Sequence, residues 1–291
     1  MPFIVQGHRG ARGLFPENTL EGFARAIALG VDSFELDIGL TADGVAVLSH
    51  DRALNPDITR DASGQWLASP APLVRSLTFA ELARFDVGRI RPGSAYAARF
   101  PDQTPIDGAR IPTLAALLAA TGEATLNIEL KTDPTHPDDT VGGAAMAEAV
   151  MAVVDAAGAA HRVMVESFDW RGPRHLLRTR PGMACALLTS PETCRAARLW
   201  WDGPDPSDFA GSVARAVAAE GAGTWAPEFA TLRPEQVAEA RTLRLSVLPW
   251  TVNDPVDMLR LLGWGVDGLI TDRPDLALPL LTQFPPANTT S

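Results

Sequence analysis

Ser33-Phe34-Glu35-Leu36-Asp37-Ile38-Gly39-Leu40-Thr41-Ala42-Asp43-Gly44-Val45-Ala46-Val47-Leu48-Ser49-His50-Asp51 is the stretch that decides the fold. In its first part the apolar residues hold even positions and Glu35 and Asp37 hold odd ones, so the two carboxylates share one face of a strand. A second apolar run, 45–49, follows after only Thr41-Ala42-Asp43-Gly44. A parallel crossover needs about a dozen residues, so these two runs form an antiparallel hairpin. With Leu40 facing Val45 across the turn, the register sets Glu35 opposite His50. Directly opposed residues project on one face, which places His50 beside Glu35 and Asp37.

Working outward, apolar runs near 3–8, 125–131, 163–168, 184–188, 224–228, 245–250 and 266–271 read as further strands. Amphipathic stretches separate most of them. The first is capped by Asn18 with Glu21 three positions on, presents Leu20, Phe23, Ala24 and Ile27 on one face, and ends at Gly30. Others cover 113–122, 144–157 and 234–242. Alternating β and α units imply a parallel sheet. Once the second arm of the hairpin is set aside, eight strands remain, the count of a TIM (β/α)8 barrel. Roughly 60 residues between His50 and Ile111 exceed any ordinary loop. They read as an inserted segment, 51–112, over the barrel mouth, with one short helix begun by a Thr78/Glu81 capping box. The expected organisation is a single barrel over 1–282 with this insertion, and a polar, frayed tail over 283–291.

The chain has 291 residues, 46% hydrophobic and 21% charged, which suits a large globular core. A net charge of −10 argues against nucleic acid or an anionic membrane as partner, because such binding is cation-driven. One small phosphate remains compatible with it. Cys185 and Cys194 form no ligand-spaced pair and read as core residues. The segment Met1-Pro2-Phe3-Ile4-Val5 has no basic n-region, and no run of 18 apolar residues exists, so a cytoplasmic protein without a membrane span is expected. No feature speaks to oligomeric state.

The chemistry sits at strand ends. Asn127, Glu129 and Lys131 share one face of the strand Leu126–Lys131, as Glu35 and Asp37 do of theirs. Parallel barrel strands are normally apolar on both faces, so these groups must be paired or bind something. Three carboxylates suit Mg²⁺ or Ca²⁺; the bland alternative is a buried Glu129–Lys131 ion network. His8 and His50 each follow an apolar run, beside Arg9 and Asp51, and are better explained as proton carriers than as core histidines. Arg9 offers a planar fork to phosphate oxygens, and Lys131 a point charge. Glu17 and Asn18 serve a βα loop, where helix capping explains them equally well. Glu166 ends a strand without an assignable role. Trp250 fits an apolar wall for a substrate carbon skeleton or core packing. The run Asp267–Pro274 reads as structural. In the insertion, Trp66, Arg89 and Arg91 either contact a head group or simply pack.

These residues carry a family resemblance. His8-Arg9-Gly10, Pro16-Glu17-Asn18-Thr19, Glu35-Leu36-Asp37, Thr41-x-Asp43-Gly44, His50-Asp51, Ile111-Pro112-Thr113-Leu114, Asn127-Ile128-Glu129-Leu130-Lys131, Ser167-Phe168, Trp250-Thr251-Val252-Asn253 and Gly268-Leu269-Ile270-Thr271-Asp272 occur in this order. In this the chain resembles the glycerophosphodiester phosphodiesterases, which belong with the phosphatidylinositol-specific phospholipase C-like barrels. The resemblance implies that Glu35, Asp37 and Glu129 hold one divalent ion, that His8 and His50 are general acid and base, and that Arg9 and Lys131 bind the phosphate. It implies hydrolysis of a small glycerophosphodiester to glycerol 3-phosphate and an alcohol, by way of a cyclic glycerophosphate. Two other readings stand beside it: a lysophospholipase D-like or cyclic-phosphate-forming relative acting on lysophospholipids, and a non-catalytic phosphate-binding barrel.

Overall fold

The computed structural model describes residues 3–283, so the tail expected over 283–291 lies, from 284 on, outside the described residues. The strands are β1 (Ile4–His8), β2 (Ser33–Leu40), β3 (Ala46–Leu48), β4 (Thr125–Leu130), β5 (Val163–Ser167), β6 (Ala184–Thr189), β7 (Thr224–Pro227), β8 (Ser246–Val247) and β9 (Gly268–Thr271). Eight pair in the order β8-β7-β6-β5-β4-β2-β1-β9, and β3 lies antiparallel on β2, outside the path. Backbone hydrogen bonds from Asp267 to Val247 and from Ile270 to Pro249, each 3.0 Å, join the two ends. The result is the expected TIM barrel with one hairpin arm beside it.

The alternation in β2 works as read. Phe34, Leu36 and Ile38 are fully buried outside the barrel, packed with Phe23, Leu114 and Leu117 of the surrounding helices. Each such side chain contributes roughly 1.5–3 kcal/mol of burial. The opposite face carries Glu35 and Asp37 into the interior. Parallel pairing with β4 sets Glu35 level with Asn127 and Asp37 level with Glu129, which brings the three acids onto neighbouring rungs.

Two local expectations are corrected. The hairpin register is one residue off: Leu40 pairs with Ala46, not Val45. Val45 belongs to the turn, where its carbonyl accepts from the Thr41 amide at 3.1 Å and its N–H donates to the Thr41 hydroxyl at 2.9 Å. His50 still reaches the acids' side because regular pairing stops at Leu48, and the Ser49 amide then donates to the Asp37 carbonyl at 3.0 Å. The second correction concerns the first helix, Leu20–Ala28. Its N-cap is Thr19, whose hydroxyl accepts from the Gly22 amide at 3.1 Å, which leaves Asn18 free for another task.

The segment after β3 builds a small core of its own from Val47, Leu54, Val74, Leu82, Val87 and Ile111. It contains the helices Phe79–Leu82, with the Thr78/Glu81 capping box as expected, and Ala95–Arg99. Trp66 lies under Arg60, and Arg89 is bound to Asp107, so both serve packing within this segment. Among the contacts that tie it to the barrel mouth, Gln103 donates to the Arg12 carbonyl (2.8 Å), the Thr104 amide to the Leu14 carbonyl (2.8 Å), and Arg273 to Asp102 (2.8 Å). Leu82→Ala should lower stability by about 2–5 kcal/mol, the usual cost of emptying a filled site. Urea denaturation checks this; a midpoint equal to that of the parent chain would show that the small core does not support the fold.

Candidate active site

The site begins with a turn that few sequences allow. β1 ends at His8, after which Arg9 (φ 54°) and Gly10 (φ 95°) double the chain back. A Cβ on Gly7 would lie 2.1 Å from the Gly10 carbonyl oxygen, so residue 7 has no room for a side chain. The returning backbone is pinned to β2 and to the next loop: the Arg9 amide donates to the Glu35 carbonyl (2.8 Å), and the Asn18 amide to the Arg9 carbonyl (3.0 Å). Asn18, itself at φ 52°, points its side-chain amide at Asp37 Oδ2, 2.9 Å away. A left-handed conformation at two non-glycine residues is strain held where side chains must be aimed.

Glu35, Asp37 and Glu129 are buried, and one oxygen from each lies within 4.8 Å of the others. Burial, then Asp37, Glu166 and Glu129, pushes the Glu35 carboxyl well above its ordinary range. Burial acts on Asp37 in the same sense, but the Arg9 guanidinium at 3.0 Å, then His50 and Lys131, hold it below the usual carboxylate range. Lys131 lies 2.8 Å from Glu129 and 3.6 Å from Asp37. Burial works against its charge, and those two acids outweigh that and raise it. An ion network of protein groups alone leaves Glu35 Oε2 and Asp37 Oδ1 buried without hydrogen-bond partners. Hard oxygens that accept no hydrogen bond and lie this close together are a fitting donor set for a divalent cation.

His8 is buried, with Nδ1 2.6 Å from Asp272 Oδ1 and Nε2 3.5 Å from Glu35 Oε2. Asp272 is held in turn by Arg12 Nε (3.0 Å) and by the Asn253 amide (2.8 Å). Burial and Arg12 bring the His8 imidazole down to about 4 despite Asp272. His50 is more open, its side chain 35% exposed, with Nδ1 2.7 Å from Asp51. The two histidines line one cavity of about 400 Å³ with Arg9, Glu35 and Glu129. Trp250 forms part of its wall, anchored by Nε1 donating to the Ala226 carbonyl (2.9 Å) and packed edge-on to Phe168 at 5.3 Å. Lys131 sits behind the acids rather than on this cavity's lining.

The sequence model described as the glycerophosphoryl diester phosphodiesterase family matches residues 8–276. The chain belongs to that family. It is accordingly an enzyme, a phosphoric diester hydrolase. A glycerophosphodiester phosphodiesterase of Caldanaerobacter subterraneus subsp. tengcongensis is 29% identical over 286 residues, covering 97% of this chain and 99% of that protein. A solved structure from Silicibacter pomeroyi DSS-3, assigned as a glycerophosphoryl diester phosphodiesterase, is 39% identical with a TM-score of 0.88 and covers 97% of this chain and 94% of its own. An Oleispira antarctica phosphodiesterase, solved with sn-glycerol-3-phosphate, shares the fold at 21% identity with a TM-score of 0.70; 97% of each chain is covered.

Within this phosphodiesterase the structure adds four residues to those expected from sequence. Asp272, read as structural, orients His8. The signal was available, because β1 and β9 pair Gly7 with Thr271, which sets His8 level with Asp272. Glu166 is buried on the cavity, accepts from Asn127 (2.7 Å), and is pushed up to about 8 by burial and by Glu129. Arg12 and Tyr96 had no sequence signal, since one packs through the fold onto β9 and the other comes from the insertion. Asp272→Asn should lower kcat about 10²–10⁴-fold with KM nearly unchanged, because the imidazole loses the partner that fixes its tautomer. Steady-state kinetics decide it, and a kcat within twofold of the parent would remove Asp272 from this role.

Proposed function

We propose that the enzyme hydrolyses small glycerophosphodiesters to glycerol 3-phosphate and an alcohol, using a divalent cation held by Glu35, Asp37 and Glu129 and proton transfer by His8 and His50. The observation that carries this is one cavity lined by His8, His50, Glu35 and Glu129, the two acids belonging with Asp37 to a buried triad in which two oxygens accept no hydrogen bond. The glycerol phosphate bound by the Oleispira antarctica phosphodiesterase is consistent in size and chemistry with such a cavity. Mg²⁺ and Ca²⁺ are the ions whose preference for oxygen ligands suits the triad.

When bound, the cation polarises a phosphoryl oxygen and offsets the charge of a phosphodiester brought among carboxylates. The chain's own residues do the rest. Arg9, on the cavity lining, adds positive charge beside the phosphate, and Lys131, behind the acids, supports phosphate binding by offsetting the charge of Asp37 and Glu129. Asp272 occupies Nδ1 of His8, so Nε2 is the nitrogen that serves the reacting atoms. Asp51 does the same for His50. One imidazole takes the proton of the attacking hydroxyl while the other gives a proton to the departing alcohol oxygen. Attack by a neighbouring glycerol hydroxyl yields a cyclic phosphate that water opens, with the histidines exchanging roles. Trp250 and Phe168 supply an apolar wall for the carbon skeleton.

His8→Ala and His50→Ala should each lower turnover about 10²–10⁴-fold, the usual span for a general acid or base. The assay is release of glycerol 3-phosphate from glycerophosphocholine and glycerophosphoethanolamine; full activity in either variant ends that histidine's assignment. EDTA should abolish release, and Mg²⁺ or Ca²⁺ restore it. Glu35→Gln should raise the metal concentration needed for half-maximal rate while leaving the thermal midpoint nearly unchanged. No release from folded protein under any metal would instead favour lysophosphatidylcholine as substrate.

A further inference from the structure

The short helix Ala95–Arg99 stands at the mouth of the cavity, capped by Ser94, whose hydroxyl accepts from the Ala97 amide at 3.0 Å. It is fastened there. The Tyr96 hydroxyl donates to Glu17 and accepts from Arg12 at 3.3 Å, and the Arg12 guanidinium lies 4.7 Å from the centre of the Phe100 ring. On this base sits Arg99, its guanidinium 5.7 Å from the Tyr96 ring centre and 5.4 Å from that of Phe100. Three arginines line the cavity. Arg9 is spoken for by Glu17 and Asp37, and Arg12 by Asp272. Arg99 is exposed and has no carboxylate within 4.0 Å among the described residues.

The lining also includes Tyr96, against which Arg99 sits, the uncharged Asn55, and Asp51, whose carboxylate is engaged by His50. The acids Glu35, Glu129 and Glu166 are buried below. Among the described residues Arg99 is therefore a seated, exposed positive charge with no carboxylate within 4.0 Å, Asp51 being the exposed acid of the same lining. Aromatic faces commonly hold quaternary ammonium groups. Here the faces of Tyr96 and Phe100 are already covered by guanidinium groups, and the remaining aromatic side chains of the lining, Trp250 and Phe168, are those assigned above to the carbon skeleton.

We propose that Arg99 selects the leaving alcohol, so that the site prefers glycerophosphodiesters whose head group carries a second anion over those carrying a quaternary ammonium. This rests on the phosphodiesterase reading above and concerns only the part of the substrate that varies. A charge at the edge of a site acts mainly through attraction and repulsion of the incoming ligand, and it weakens with salt.

The test is kcat/KM for bis(glycerophospho)glycerol and for glycerophosphocholine, measured on the parent enzyme, Arg99→Ala, Arg99→Glu and Arg99→Lys in the presence of Mg²⁺. The parent should favour the dianionic substrate. That ratio should fall roughly three- to tenfold in Arg99→Ala and further in Arg99→Glu, and be largely kept in Arg99→Lys. It should also shrink as salt is raised from about 0.05 to 0.5 M. A parent enzyme that favours glycerophosphocholine, or variants that slow both substrates by the same factor, would overturn the proposal; the second result would assign Arg99 to the shared phosphate. If the parent cleaves neither diester, the phosphodiesterase reading itself fails, which is a different outcome from an unselective but active enzyme.

Discussion

Three carboxylates facing one another inside a barrel are the constraint on which the rest of this structure depends. Like charges so close and so poorly solvated repel strongly unless cations or protons compensate them. Each nearby oddity of the chain is such a compensation. The left-handed backbone of Arg9 brings its guanidinium to Asp37, and that of Asn18 brings an amide to the same carboxylate. Lys131 closes the far side against Glu129 and Asp37. Because the inner face of β2 and β4 is given over to polar groups, the apolar core of these strands lies outward, between strands and helices. Phe34, Leu36, Leu126, Ile128 and their helical partners are fully buried there. One strand thus serves stability with its even residues and chemistry with its odd ones.

The compensating groups also form a connected chain. His8 meets Asp272, Asp272 meets Arg12, Arg12 meets Tyr96, Tyr96 meets Glu17, Glu17 meets Arg9, and Arg9 meets Asp37. Imidazole orientation and the acidic triad are therefore parts of one charge-assisted network, and the inserted segment contributes a member to it. Such networks resist pairwise division, since removing one member leaves its neighbours buried and unsatisfied. The same links make the insertion a fixed wall of the site rather than a loosely attached flap.

Local periodicity made the fold legible. Alternation in β2 and β4 revealed which residues share a face, and the short Thr41–Gly44 link revealed a hairpin, leaving the barrel count. The meeting of the three carboxylates followed from the same reasoning. The errors were also physical. A turn with its own side-chain hydrogen bonds took up Val45 and shifted the register by one, a change that flips alternation but is absorbed where pairing ends at Leu48. Thr19 outcompeted Asn18 as a cap because Asp37, from another strand, claims the asparagine. Tyr96, Arg12 and Glu166 act through contacts between segments remote in sequence, and no spacing rule in one chain announces those.

Barrel closure has a consequence for how the enzyme comes into being. The three acids and the cations held against them, Arg9 and Lys131, come from β1, β2, β4 and the loops at their ends, which are neighbours and can pair before the second half of the chain exists, whereas Glu166 joins them from β5. The partner that fixes His8 lies 264 positions further on, at the end of the last strand. During synthesis from the N-terminus, a nascent chain can thus bring its three acids together well before the imidazole is set in place. The acidic triad and the held imidazole would be completed at different times, the second only once β9 and the Asp272 that follows it have been made.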